Sequence, residues 1–436
     1  MAKKFIYSSI LVLLGVNLTV GFLLYRETAQ ASSGEDPYEN YELFASVVER
    51  IRSDYVEGDK LTYRDLIQSA LKGMLGSLDP HSEFMEPVHY DELKKDTEGA
   101  FGGVGIVVTM EENKDYLTVV SPMADTPAFR AGIISGDHIV KIENRTTEGI
   151  TLQEAVKRLR GEPGSDVKMT LYRPSSGKMR DVVLERAIIK LQTVKDLSGN
   201  NTFELDENKI GYVWLTQFGE QTSRDLRKAL DQMTEKGMRG LILDLRGNPG
   251  GLLDQAVAVC EQFLPAGQLV VFTQGKSEMM RSEHHAASRD PILDLPIVVL
   301  VNNGSASASE IVSGCLQDLG RAVLLGEQTF GKGSVQSIFP VSGGWALRLT
   351  TAKYYTPSEK IIHGKGITPD ITVPVSNEDL EALFYKRSPG GVDALVQLSD
   401  EQRERIRAVR DKQLDRATDL LKGVFLLEDR KSNSLE

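Results

Sequence analysis

Between residues 205 and 375 the chain carries short segments that are apolar without interruption, among them "GLILDL", "PIVVLV" and "AVLLG". A strand with one wet face alternates apolar and polar residues, whereas an unbroken apolar strand is covered on both faces. Stretches with helical spacing separate these segments: "SRDLRKALDQMTEKG", "LLDQAVAVCEQFL" and "SASEIVSGCLQDLG". Buried strands alternating with helices predict an α/β core on a mostly parallel sheet, with "KIGYVWLTQF" as a further strand. Sites on such sheets lie beyond the carboxyl ends of the strands. Two loops occupy that position, "RGNPGG" and "NNGSAS".

The remainder of the 436 residues divides around a core at 191–375. Residues 37–95 place apolar side chains at helical spacing and end in "LDPHSEFM", a turn at Asp79-Pro80 before another helical stretch. Residues 96–190 turn to short β-branched strands with two short helices, which predicts a small self-contained α+β domain inserted ahead of the core. Residues 376–436 are charged and helical, fit for packing or oligomerisation rather than chemistry. At the N-terminus Lys3 and Lys4 precede an uncharged run, residues 5–25, as long as the roughly 20 residues of a spanning helix. Ala29-Gln30-Ala31 has the pattern of a signal cleavage site. Residues 1–31 are therefore read as a membrane anchor or a signal peptide, and both readings export the rest of the chain.

Composition excludes several classes. A formal net charge of −11 argues against nucleic acid, whose phosphates need a basic face. Two cysteines, Cys260 and Cys315, cannot make a disulfide scaffold, and they read as small buried residues on helices. No histidine pair has metal-ligand spacing, so no metal and no cofactor are expected.

The loop "NNGSASASEIVSG" holds Ser305, Ser307, Ser309 and Ser313, with Glu310 among them. A serine at a helix start has a plain role as an N-cap. It has a chemical role only with a base and oxyanion donors nearby. Ser305 or Ser307 suits that role, because backbone N–H groups and the positive helix end lie close to the strand–helix junction. Ser309 and Ser313 fall inside the helix and read as structural. For the base, Lys332 in "GEQTFGKGSVQS" is flanked by glycines and uncharged residues; burial there lowers a lysine's pKa, as a general base requires. The alternative is a solvated loop lysine. Gln336 is four residues on, about 13 Å along a flat strand, so it reaches Lys332 only if the chain bends. The same segment begins like a phosphate-binding loop, but Gly333 replaces the required Ser or Thr and a strand follows where a helix is needed. "GGVGIVV" fails as a dinucleotide loop for the same reason.

Together "GSASASEI" and "GEQTFGKGSVQ" resemble the active site of the C-terminal processing peptidases, or tail-specific proteases. The resemblance implies Ser307 as nucleophile, Lys332 as base and Gln336 as the residue orienting it. It implies an oxyanion hole from Gly250 or Gly251 of "DLRGNPGG" with the N–H of Ala308, and supporting roles for Glu310, Asp318 and Thr329. "LDPHSEFM" is similar to the family's N-terminal segment, "KYYTPSEKIIHGKGITPDI" to the end of its protease domain, and residues 96–190 to its PDZ domain. Gly103, Val104, Gly105 and Ile106 would then capture a peptide's terminal carboxylate, and Arg160 is a candidate contact between the PDZ domain and the protease core. The implied fold is a crotonase-like, mostly parallel sheet core with an inserted PDZ domain and helical N- and C-terminal segments. The implied function is an exported serine endopeptidase acting on proteins with accessible C-termini, on the periplasmic or other extracytoplasmic side of the envelope, with inner-membrane association. An adaptor or regulator protein and homo-oligomers through the terminal helices are compatible with it. The competing readings are a catalytically silent, membrane-tethered PDZ scaffold, against which the intact Ser307, Lys332 and Gln336 set speaks, and an acyl-binding enzyme, for which no coenzyme slot is visible.

Overall fold

The computed structural model describes residues 37–433, apart from 98–99, 111–116, 124–125, 135, 175, 191, 289, 388–391 and 393–398. The apolar run 5–25 and the cleavage pattern at 29–31 lie outside the described residues. Among the described residues no helix is long and apolar enough to cross a membrane. The chain separates into two compact units, one ending at Leu78 and the other beginning at Asp79. The first contains α1 (Pro37–Asp54) and α2 (Tyr63–Gly76). Helix α2 starts on a capping box: Thr62 accepts from the Asp65 N–H at 3.1 Å, and Asp65 accepts from the Thr62 N–H at 3.0 Å.

In the second unit the structure departs from the helical segment expected through residue 95. "LDPHSEFM" supplies a strand, β1 (Glu83–Met85), paired antiparallel with residues 346–348, before α3 (Pro87–Thr97). Tertiary contacts decide this. Phe84 stacks on Trp345 with ring centroids 5.0 Å apart, and Met85 is buried. The small domain follows as β2 (Ala100–Gly103), β3 (Ile106–Met110), β4 (Leu117–Pro122), α4 (Pro127–Arg130), β5 (His138–Ile142), β6 (Arg145–Thr146), α5 (Leu152–Leu159), β7 (Asp166–Arg173), β8 (Lys178–Glu185) and β9 (Ala187–Lys190). Its antiparallel sheet runs β3-β4-β5-β7-β8, and β2 pairs with β9. Leu117, Val119, Ile139, Met169 and Leu171 fill its core. Strand β3 is the sheet's edge, with α5 packed beside it.

The core comprises β10 (Val194–Lys195), β11 (Ile210–Leu215), α6 (Thr222–Glu235), β12 (Gly240–Asp244), α7 (Leu253–Cys260), β13 (Leu269–Gly275), β14 (Arg281–His285), β15 (Ile297–Val301), α8 (Ala308–Asp318), β16 (Val323–Gly326), β17 (Ser334–Pro340), β18 (Ala346–Tyr355) and β19 (Ile371–Thr372). Its main sheet runs β10-β11-β12-β15-β16-β19, parallel from β11 onward. Period-two alternation sends Val213, Leu243 and Val299 into one core with side chains of α6, α7 and α8. It sends Tyr212, Ile242 and Val298 to the opposite face, which Ala417, Leu421 and Phe425 cover. Those three belong to α11 (Lys412–Asn433), which follows α9 (Asn377–Lys386) and α10 (Asp400–Ala408). The tail thus has a packing role. A second sheet, β1-β18-β13-β14 with β17 on β18, is antiparallel.

Candidate active site

Strand β15 delivers the serine loop onto α8, and hydrogen bonds sort the four serines. Ser305 is buried, donating to the Leu245 carbonyl at 2.8 Å and accepting from the Asn302 N–H at 3.0 Å. Ser309 donates to the Asn248 carbonyl at 2.9 Å, and Ser313 to the Ser309 carbonyl at 2.8 Å. Ser307, at the N-cap of α8, is only half-buried, and among the described residues its hydroxyl, unlike the other three, donates to no carbonyl. Its φ of 54° with ψ of −113° lies in a region that residues with a Cβ avoid. Holding it there costs on the order of 1–3 kcal/mol and presents the hydroxyl on a sharp strand-to-helix turn.

The strain is held by Glu310, fully buried in the first turn of α8. Its Oε2 accepts the N–H of Ser307 at 2.9 Å and that of Lys332 at 2.8 Å. Its Oε1 accepts the N–H of Gly331 at 2.7 Å and the Thr329 hydroxyl at 2.6 Å. Because two of these bonds meet on one oxygen, the backbone nitrogens of Ser307 and Lys332 are no further apart than the sum of those two distances. Thr329 in turn accepts from the Ile367 N–H at 2.7 Å, and the Phe330 N–H donates to the Ser305 carbonyl at 3.1 Å. One carboxylate therefore fixes the segment carrying the lysine against the turn carrying the serine.

Lys332 is half-buried, and burial, followed by the nearby charge of Arg348, lowers its pKa below the ordinary lysine value. Among the described residues no hydrogen bond or ion pair engages its ammonium. The Gln336 amide makes no hydrogen bond to it. Its Nε2 donates to the Ser334 hydroxyl at 2.9 Å and the Thr350 hydroxyl at 3.4 Å. Strand β17 begins at Ser334, and a register shift at Val335/Gln336 interrupts its pairing with β18 just where Gln336 sits.

The "DLRGNPGG" loop meets the serine turn closely. A Cβ on Gly250 would stand 2.8 Å from the Ser307 Cβ and 3.0 Å from the Ala308 nitrogen, and the φ of 101° there also requires glycine. The Gly250 N–H is engaged by Asn248 Oδ1 at 2.9 Å. Among the described residues the N–H groups of Gly251 and Ala308 make no hydrogen bond; the latter is an orphan donor of the helix start. Gly251 is thus the better donor candidate of the two glycines, and Gly250 the residue that allows the close approach. Two buried asparagines, not singled out in the sequence, lace the loops together. Asn302 Oδ1 accepts from Gly247 at 2.9 Å, and the Asn248 carbonyl accepts from Ala306 at 3.0 Å.

Behind this loop lies a buried ionic network. Arg246 pairs with Asp244 at 2.6 Å and with Asp411 at 2.8 Å, Arg387 reaches both carboxylates at 3.1 Å, and the Tyr212 hydroxyl donates to Asp244 at 2.6 Å. Burial alone would push the Asp244 pKa up, but the charges of Arg246 and Arg387 outweigh it and bring it down to about 2.

The other expected residues lie elsewhere. Asp318 ends α8, about 16 Å along the helix from Ser307. It accepts from Ser358 N–H at 3.0 Å and from Lys360 at 2.7 Å, so it holds the far end of the helix rather than the chemistry. In the small domain, Gly103 ends β2, Ile106 begins β3, and Gly105 has a φ of 75°. The carbonyls of Val104 and Gly105 accept from Ala128 and Met123, both at 2.9 Å, while among the described residues their N–H groups make no hydrogen bond. Arg160 caps the C-terminus of α5, and the next residue, Gly161, donates to the Gly102 carbonyl at 3.1 Å. This places Arg160 beside the strand that leads into the loop.

The sequence reading also passed over the "LDPHS" turn as part of the site. The His81 imidazole has its pKa lowered by burial and then by the charge of Lys332. Arg348 donates to the His81 carbonyl at 3.1 Å.

Comparison with known proteins identifies the family. The sequence matches the PDZ domain over residues 102–185 and peptidase family S41 over residues 209–373. It is 43% identical over 366 residues to a carboxy-terminal-processing protease of Bartonella bacilliformis, covering 82% of this chain and 81% of that protein. It is 39% identical over 318 residues to a carboxyl-terminal-processing protease of Picosynechococcus, covering 72% and 74%. It is 35% identical over 345 residues to a carboxy-terminal processing protease of Bacillus subtilis, covering 78% and 70%. The structure of a photosystem II D1 C-terminal processing protease aligns with a TM-score of 0.46 and 27% identity, over 80% of this chain and 87% of that one. The chain belongs to the carboxy-terminal-processing proteases of peptidase family S41, serine-type peptidases, and it carries a PDZ domain.

Proposed function

We propose that this protein is an exported endopeptidase that captures the C-terminal tail of a protein in its PDZ domain and cuts it by Ser307–Lys332 chemistry. The observation that carries the mechanism is the shared Glu310 carboxylate, which holds the backbones of both residues. Lys332, whose pKa burial lowers, takes the proton of the Ser307 hydroxyl in its neutral form as the oxygen attacks the scissile carbonyl. The tetrahedral oxyanion accepts from the N–H groups of Ala308 and Gly251; removing one such donor in comparable sites costs about 10²–10³ in rate. Lysine then returns the proton to the leaving amine, and water repeats the cycle on the acyl-enzyme. The tail adds as a strand along the free edge of β3, beside α5, with its carboxylate on the N–H groups from Val104 to Ile106. Export rests on the charged flank and apolar run of residues 1–31, which also favours an envelope location with inner-membrane association.

Cleavage of an unstructured test protein with an apolar tail is the test. Ser307→Ala and Lys332→Ala are each expected to abolish it with unchanged melting temperature, and Ser305→Ala to leave activity in any protein that folds. Amidating the tail is expected to weaken binding. Retained cleavage in Ser307→Ala or Lys332→Ala overturns the mechanism, and unchanged binding of the amidated tail overturns carboxylate capture.

A further inference from the structure

The Gln336 amide has two ends, and which one is left free decides whether it helps or opposes an ammonium. The hydrogen bonds around it set that direction from outside the residues considered so far. Asp79, the first residue of the second unit, presents a carboxylate that only accepts. It is held by the N–H groups of His81 at 2.7 Å and Ser82 at 2.9 Å and by the Ser82 hydroxyl at 2.7 Å. The Thr350 hydroxyl lies 3.2 Å from the same carboxylate and must donate to it. Having spent its one proton there, the Thr350 oxygen can only accept on its other side, from Gln336 Nε2 at 3.4 Å. The Ser334 hydroxyl takes the second Nε2 proton at 2.9 Å. With its nitrogen committed twice, the amide is left with Oε1 as the group able to receive an ammonium.

We infer that Asp79 and Thr350 are positioning residues that fix the polarity of the Gln336 amide, so that its carbonyl oxygen is the acceptor offered to Lys332 when serine's proton arrives there. This rests on the proposed roles of Lys332 and Gln336. The relay has a direction: carboxylate, hydroxyl, amide nitrogen, amide oxygen, ammonium. It gives the "LDPHS" turn a task at the site although the turn lies 253 residues before Lys332 in sequence (332 − 79). The turn is held there by β1 on β18, and the Thr350 N–H donates to the Ser82 hydroxyl at 3.1 Å.

Two substitutions at one position separate the relay from plain packing. Thr350→Val keeps the shape and removes the hydroxyl, whereas Thr350→Ser keeps the hydroxyl and removes a methyl group. With a short peptide substrate, Thr350→Val is expected to lower kcat about tenfold, the value of roughly one hydrogen bond to a charged group, with KM within about twofold of wild type. Thr350→Ser is expected to retain kcat within about twofold. Asp79→Asn, which lets an amide N–H face Thr350, is expected to lower kcat with unchanged KM. Melting temperatures verify that each variant is folded. Wild-type kcat in Thr350→Val, or an equal loss in Thr350→Ser, overturns the relay. Lys332→Ala in the same assay keeps the two claims apart: activity there removes the lysine mechanism itself, whereas its inactivity beside an unaffected Thr350→Val removes the relay alone.

Discussion

Glu310→Gln should cripple the enzyme although it changes one atom. The carboxylate accepts four hydrogen bonds, two on each oxygen, from Ser307, Lys332, Gly331 and Thr329, and none of it is exposed. A glutamine amide has one accepting oxygen. Placed at Oε1, its NH2 group faces the N–H of Gly331; placed at Oε2, it faces the N–H groups of both Ser307 and Lys332. With the NH2 at Oε2 two hydrogen bonds are lost; with it at Oε1 the Gly331 bond is lost, while the Thr329 hydroxyl can turn to accept. At about 1.5–3 kcal/mol for each lost bond, the loss is about 1.5–6 kcal/mol. That is a large share of the 5–15 kcal/mol by which domains are usually stable. The part felt as relaxation of the Ser307 turn raises the barrier, and every 1.4 kcal/mol there is tenfold in rate. Urea unfolding and kcat/KM on one preparation divide the loss between the two. The expected result is a destabilised but folded protein with at least about a hundredfold lower kcat/KM. A variant with unfolding free energy within about 0.5 kcal/mol of wild type and activity within twofold would refute the reasoning.

Other consequences can be checked separately. The lowered pKa of Lys332 means that cleavage rises with pH and levels off once the amine is neutral, because only the neutral form takes a proton; a rate that is flat from acidic to alkaline pH contradicts this. Asp244 has a folded pKa of about 2, below its unfolded value, so it contributes stability above about pH 4 that is lost as pH falls through about 2; urea midpoints measured down that range should fall, and Asp244→Asn should remove part of the slope. Asp411→Ala leaves Arg246 and Arg387 with one carboxylate between them and should cost about 3–5 kcal/mol by urea unfolding. Leu421→Ala should cost about 2–5 kcal/mol if α11 covers the sheet as a true core element.

Much of this was legible in the sequence for a physical reason. "IVVLV" and "GLILD" lack any polar alternation, and all ten residues of β15 and β12 are buried. Ser307 could be selected only through its neighbours: four serines look alike in sequence, and the backbone bonds made by Ser305, Ser309 and Ser313 are tertiary facts. The second sheet was hidden because β17 and β18 are half-exposed and their pairing reaches back to β1. Asp79 and Thr350 carried no chemical signal for a similar reason. The 271 positions that separate them along the chain conceal a contact that depends on register.

The central claim is that the amine at position 332 takes the proton of Ser307. Lys332→Cys followed by alkylation with 2-bromoethylamine rebuilds the side chain with sulfur in place of one methylene and with a less basic amine. Cys260 and Cys315 are buried, which leaves position 332 as the reactive thiol. The pH dependence of kcat/KM before and after alkylation is the measurement. The account predicts an inactive cysteine variant, activity restored by alkylation, and an acid limb moved to lower pH than in the wild type. Restored activity with an unmoved limb, or a cysteine variant as active as the wild type, would contradict it.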